Sequence, residues 1–176
     1  MASTPAAPLT RYALRITLQL RSRQRDRRLN LPFLRRVFRH LLTEQLRAPA
    51  AELCFHFVTA DEMARVNWQF LQHEGSTDVI TFDYGERSAV SRRQSAVISG
   101  EAFICVADAV KQAREFRTSW QSEVVRYALH ALLHLRGFDD LQPAKRRVMK
   151  REENRLMREL AAAFDLDQLE TPNPKP

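Results

Sequence analysis

A single α+β domain, with a small sheet packed against one central helix, is the fold class this sequence predicts, and three observations carry that prediction. Short runs with strand-like alternation are separated by stretches of helical periodicity. One segment, Val124 to Leu135, is apolar on nearly every side, as expected of a helix enclosed by a core rather than laid along a surface. The 176 residues suit one domain of ordinary size with a substantial core.

Taken in order, Ala13 to Leu20 predicts the first strand. Leu31 to Leu46 predicts a helix, because Leu34, Val37, Phe38, Leu41 and Leu42 fall on one face. Glu52 to Thr59 predicts a strand in which Leu53, Phe55 and Phe57 alternate with Cys54, His56 and Val58. His56 is expected on the solvated or helix-facing side of that strand rather than at a metal. Asp61 to Phe70 reads as a short helix and Val79 to Phe82 as a strand. Asp83 to Ser95, with Tyr84, Gly85 and the polar Ser91 to Ser95, reads as an exposed loop, and Ala96 to Cys105 contains a further strand.

Thr118 is expected to cap the central helix, with Gln121 completing a capping box. Pro143 suits the first turn of the last helix, which is expected to reach about Phe164. Three divisions follow: a disordered segment at 1–9, a folded domain at 10–164 and a mobile, proline-containing tail at 165–176. No internal repeat is present.

The chemistry concentrates between His130 and Asp140. Two imidazoles four residues apart on a helix point the same way, with Cβ atoms about 5 to 6 Å apart. Zinc–nitrogen bonds of roughly 2.0 to 2.1 Å let both rings close on one ion. Gly137 tolerates φ > 0, so it can end the helix and fold the chain back, bringing Asp140 to the same place. Three protein ligands leave the fourth position of a tetrahedral zinc open, the pattern of a catalytic site. A His pair at this spacing is by itself most often a partly buried polar pair. Here its surroundings are strongly apolar, and an imidazole buried among them without a partner is costly.

The same spacing occurs in metzincin proteases, where a Glu following the first His is the general base. Ala131 holds that position here, so a peptidase reading lacks its base.

Charge is unevenly distributed. The chain carries 28 Lys and Arg against 21 acids, a net of +7. Residues 1–50 hold eleven Arg and two acids, so the remainder is slightly acidic. Arg21, Arg23, Arg25, Arg27 and Arg28 form a cluster between the first strand and the next helix. Guanidinium forks match phosphate oxygens bidentately, and such clusters give salt-sensitive, sequence-independent affinity for nucleic acid. The alternative is a loop kept solvated by its charge. Lys145, Arg146, Arg147, Lys150 and Arg151 make a second basic stretch at the start of the last helix, with Glu152 and Glu153 available for pairing within it.

Met1 to Thr10 has no apolar h-region of a secretory peptide, and nowhere do 18 apolar residues run uninterrupted. Cys54 and Cys105 lie in separate apolar runs and are expected as buried thiols, in keeping with a reducing cytoplasm.

His130 to Asp140 closely resembles the signature His-Gly-x-Leu-His-Leu-x-Gly-Tyr-Asp-His of the bacterial YbeY family of zinc-dependent, single-strand-specific endoribonucleases. The likeness extends to Ser76-Thr77-Asp78-Val79-Ile80-Thr81-Phe82, which is similar to the family's Thr-Asp-Val-Leu-Ser-Phe strand. Gly100-Glu101-Ala102-Phe103-Ile104-Cys105 is similar to its Gly-Asp-Ile strand, Ala107 to Phe116 to the helix after it, and Val66-Asn67 to its Leu-Asn. Three positions depart from the pattern. Asp140 stands where the family usually has a third His, Ala131 replaces a Gly, and Leu71 occupies the position of an Arg placed at the active site. His73, in the same loop, is the nearest candidate substitute for that Arg.

The resemblance implies a small mixed four-stranded sheet, a cleft walled by the strand from Asp78 to Phe82, and one zinc ion held by His130, His134 and Asp140. It implies cleavage of single-stranded RNA in late maturation of small-subunit ribosomal RNA, with the small ribosomal subunit as partner and no membrane. The ion would either polarise a phosphoryl oxygen or lower the pKa of bound water, and the residues leave that choice open. Two further readings stand beside this one: a non-catalytic ribosome assembly factor with a structural metal, and a zinc hydrolase of another substrate.

Overall fold

The computed structural model describes residues 15–85 and 97–171. Four strands and five helices follow one another as β1 (Arg15–Ser22), α1 (Leu31–His40), β2 (Ala50–Val58), α2 (Ala60–Leu71), β3 (Val79–Asp83), β4 (Val97–Cys105), α3 (Val106–Phe116), α4 (Trp120–Leu135) and α5 (Pro143–Ala163). The strands form one mixed sheet in the order β1-β2-β4-β3, so the expected α+β class holds. β1, β2 and β4 run parallel, and β3 closes one edge antiparallel to β4.

Strand alternation separates two apolar layers. Leu53, Phe55 and Phe57 of β2 and Ile98, Ala102 and Ile104 of β4 point into the main core with α1, α4 and α5. Val58, Ile80 and Cys105 point the other way and meet Met63 of α2 in a smaller cluster. α4 lies in the larger layer, with Val124, Val125, Ala128, Leu129, Leu132 and Leu133 inaccessible to solvent. Its approach to the sheet is set by Gly100, because a Cβ there would stand 2.4 Å from the Phe82 carbonyl oxygen and 2.7 Å from Leu135 Cδ2. Only glycine lets the end of α4 settle this closely onto β4.

Several expected boundaries shift. The helix expected over Leu31 to Leu46 is α-helical to His40 and continues as a π-type turn over Leu41–Gln45, which keeps Leu41 and Leu42 buried. Thr118 does not cap α4. Ser119, extended at φ −95° and ψ 144°, is the residue directly before the helix, and its hydroxyl accepts from the Ser122 amide. Thr118 lies one residue too early for that bond, and its hydroxyl donates to Glu123 instead, at 2.6 Å. Pro143 opens α5 as expected.

The tail expected to be mobile from 165 is packed over its first residues. Leu166–Leu169 forms a 3-10 turn with both leucines buried in the main core, and Glu170 bridges to Leu29. The apolar spacing of those two leucines supplies burial that the nearby prolines obscured. The expected disordered segment at 1–9, most of the loop expected over 83–95 and the last five residues lie outside the described residues. Among the described residues, no helix is long and apolar enough to cross a membrane.

Candidate metal centre

α4 presents His130 and His134 one turn apart near its C-terminal end, and the turn that follows determines what meets them. Gly137 adopts φ +86°, its amide donating to the His134 carbonyl at 2.8 Å and the Phe138 amide to the Leu133 carbonyl at 3.0 Å. These two bonds form a Schellman motif, which terminates the helix and reverses the chain. Reversal brings the Asp140 carboxylate over the histidine pair.

Three donor side chains converge there. His130 Nε2 and His134 Nε2 are 3.0 Å apart, and Asp140 lies 3.7 Å from the first through Oδ2 and 3.8 Å from the second through Oδ1. Tetrahedral zinc with bonds of roughly 2.0 to 2.1 Å separates its ligand atoms by about 3.4 Å. The residues fit such an ion in size.

The outer nitrogens explain why they also fit in charge. The His130 Nδ1–H donates to Glu153 Oε2 at 3.0 Å, and the His134 Nδ1–H donates to the Phe138 carbonyl oxygen at 3.2 Å. A carboxylate and a carbonyl can only accept, so each neutral ring carries its proton on Nδ1. Both Nε2 lone pairs then face each other across 3.0 Å, an arrangement that repels unless a cation lies between them. Burial pushes the His134 imidazole below its ordinary range, and neighbouring His130 adds to the shift, so a metal suits the site better than a proton.

Glu153 sits at the centre of the supporting network. It is 3% exposed and accepts from Arg126 and Lys150 as well as His130, with both cationic contacts at 2.8 Å. Burial alone raises a carboxyl pKa, yet the three hydrogen bonds outweigh it and hold Glu153 down to about 2. Arg126 also reaches buried Glu123, at 3.7 Å, so charge is compensated along one side of α4. Sequence reasoning missed Glu153 as part of the site. A signal existed: it lies on the buried stripe of α5, between Met149 and the pair Leu156 and Met157.

Asp139 and Asp140 divide the work of the turn. Asp139 accepts from the Leu141 amide and from Lys145, both at 2.9 Å, and these two bonds lower its pKa. Arg146 Nε donates to the Asp140 carbonyl oxygen, which leaves the Asp140 carboxylate to the histidines. The second basic stretch thus braces the metal turn in part, and Lys150 pairs within α5 as expected.

The family model described as Endoribonuclease YbeY matches residues 19–161. The chain belongs to the YbeY endoribonuclease family. An Endoribonuclease YbeY of Salinibacter ruber is 33% identical over 133 residues, spanning 75% of this chain and 84% of the relative. Those of Bacteroides fragilis and Parabacteroides distasonis are 33% and 35% identical, covering 65% and 60% of this chain and 82% and 69% of their own lengths. A Thermotoga maritima protein of known solution structure shares the fold, with a TM-score of 0.62 at 20% identity over 90% of this chain and 98% of its own.

The other residues that carry the resemblance to YbeY, and the arginines expected to bind RNA, are spread through the fold. Asn67 is buried, and its side-chain amide donates to the Gly75 carbonyl at 2.9 Å, tying down the loop that leads to Ser76, Thr77 and Asp78. Asp78 Oδ1 accepts from the Val79 amide and the Thr77 hydroxyl, so it organises the start of β3. Leu71, where the YbeY pattern has Arg, ends α2 at 49% exposure and brings no polar group. Arg21 lies on β1 rather than in the loop after it. Arg23 pairs with Glu62, and Arg27 lies 5.8 Å from the Trp120 ring. Arg25 and Arg28 are exposed beside them.

Proposed function

We propose that this chain is a zinc-dependent endoribonuclease that cuts single-stranded RNA at the centre formed by His130, His134 and Asp140. The observation that carries the proposal is the pair of Nε2 lone pairs facing each other across 3.0 Å under the Asp140 carboxylate. Zinc bound there supplies Lewis-acid chemistry, by polarising a phosphoryl oxygen or activating water at the position left open. Glu153 fixes the His130 ring so that Nε2 faces inward, and the Phe138 carbonyl does the same for His134. Asp140 adds negative charge that a third His would not.

RNA on either side of the cut rests on Arg21, Arg23, Arg25, Arg27 and Arg28, whose guanidinium groups suit phosphate. In this reading the substrate is ribosomal RNA, the small ribosomal subunit is the partner and the cytoplasm is the compartment. The N-terminal concentration of Arg supports a polyanionic partner.

Leu71 favours a second reading, in which the metal is structural and the protein is a ribosome assembly factor without catalysis. Elemental mass spectrometry of the folded wild type, His134→Ala and Asp140→Ala, paired with an RNA cleavage assay, separates the two. Metal in the wild type, metal loss in both variants and cleavage that follows the metal support the nuclease. Metal-independent RNA binding with no cleavage supports the assembly factor.

A further inference from the structure

We propose that Cys54, His56 and Glu101 form a second site for a zinc-like divalent cation, on the face of the sheet opposite α4. Two strands build it. Cys54 and His56, two residues apart on β2, project from the same face. The β2–β4 register sets Glu101 directly opposite Cys54. One donor atom from each of the three residues lies within 4.8 Å of the other two.

The site is held in place. The His56 ring stacks on Phe103 with centroids 4.5 Å apart and 13° between the planes, and its Nε2 is 3.0 Å from Glu101 Oε2. His56 is 5% exposed, yet its Nδ1 is buried with no hydrogen-bond partner. When Nε2–H donates to Glu101, the remaining lone pair of the imidazole meets no donor. Nε2, the nitrogen that faces Glu101, is the one placed to take a cation, and the ring proton then sits on Nδ1.

The donor set is chemically apt. One thiolate and one carboxylate neutralise a dication, and sulfur with imidazole favours zinc over magnesium or calcium. On binding, the S–H bond breaks, a sulfur–metal bond forms and the proton leaves to solvent. Cys54 does not compete for a disulfide with Cys105, which is paired with Val58 four positions along the same strand pair. Glu101 is partly exposed, giving the ion a way in. Once bound, the ion would cross-link β2 to β4.

Cobalt titration of the full chain tests this site apart from the first, because His130, His134 and Asp140 offer no sulfur. A thiolate-to-cobalt charge-transfer band in the near ultraviolet is expected in the wild type and in the His130→Ala/His134→Ala double variant. It is expected to be lost in Cys54→Ser, and Glu101→Gln should weaken binding by about tenfold or more. Where Cys54→Ser does not fold, alkylation of Cys54 in the wild type is read by mass spectrometry with and without zinc. Slower alkylation with zinc supports the site. No thiolate band in folded wild type at saturating cobalt, a band that survives Cys54→Ser, or alkylation indifferent to zinc overturns it.

Discussion

Glu153 of α5 reaches across to α4 and accepts the Nδ1–H of His130 at 3.0 Å, so a buried carboxylate on another helix decides which nitrogen of the candidate metal-ligating ring faces inward. Removing such an outer partner typically costs 10- to 100-fold in metal affinity. Glu153→Gln keeps the shape but loses the charge. Competition with a chelator should show zinc affinity falling by about that factor while His130 and His134 remain in place. Unchanged affinity would mean the ring is held by packing alone.

Glu153 also predicts how acid acts on the metal-free protein. Its folded carboxyl is held near 2 against an ordinary value of 4.5, so the folded state binds the proton less readily. Its contribution to stability is therefore fully present above about 4.5 and lost as pH falls through about 2. Urea denaturation across that range should show wild-type stability declining, and Glu153→Gln should flatten the decline.

Metal retention has a pH dependence of its own. Ligation needs a neutral imidazole, and burial, followed by the nearness of His130, lowers the His134 pKa. Because the shift is downward, His134 stays neutral at pH values where an exposed His is already charged. Zinc should thus remain bound somewhat below the ordinary histidine range and be released on further acidification, as followed by a zinc-sensitive dye. Release beginning above that range would contradict the assignment.

Gly100→Ala introduces a methyl against the Phe82 carbonyl and Leu135. The backbone oxygen cannot yield as a flexible side chain would, so overpacking should cost about 1 to 3 kcal/mol in denaturant unfolding. The displacement falls at the end of α4, so zinc affinity should fall with it.

Arg25→Ala/Arg28→Ala should weaken RNA binding with a shallower salt dependence, by about 0.7 in log–log slope for each phosphate that is no longer neutralised. These two arginines are exposed, whereas Arg23 is paired with Glu62. An unchanged slope would place the RNA elsewhere on the molecule.

The convergence of His130, His134 and Asp140 was legible in the sequence because its geometry is local. His130 and His134 share a helix face, and Gly137 announces the turn that returns Asp140. β2 was legible for a similar reason, since period-two alternation is written into Leu53, Phe55 and Phe57. Glu153 was not, because its partner lies 23 residues away and only the packing of α5 on α4 unites them. The capping residue was misplaced by one, as Thr118 and Ser119 are both good caps and the chain's entry angle selects between them. The packing of Leu166 and Leu169 was missed because it depends on contacts with α1 and α4.

Cleavage of a single-stranded RNA by purified protein, comparing zinc-loaded wild type, chelator-treated wild type and folded His134→Ala, tests the nuclease assignment most directly. Cleavage only in the first, restored to the second by added zinc and never to the third, is the expected result. Undiminished cleavage by His134→Ala would show that RNA is cut somewhere other than at His130, His134 and Asp140.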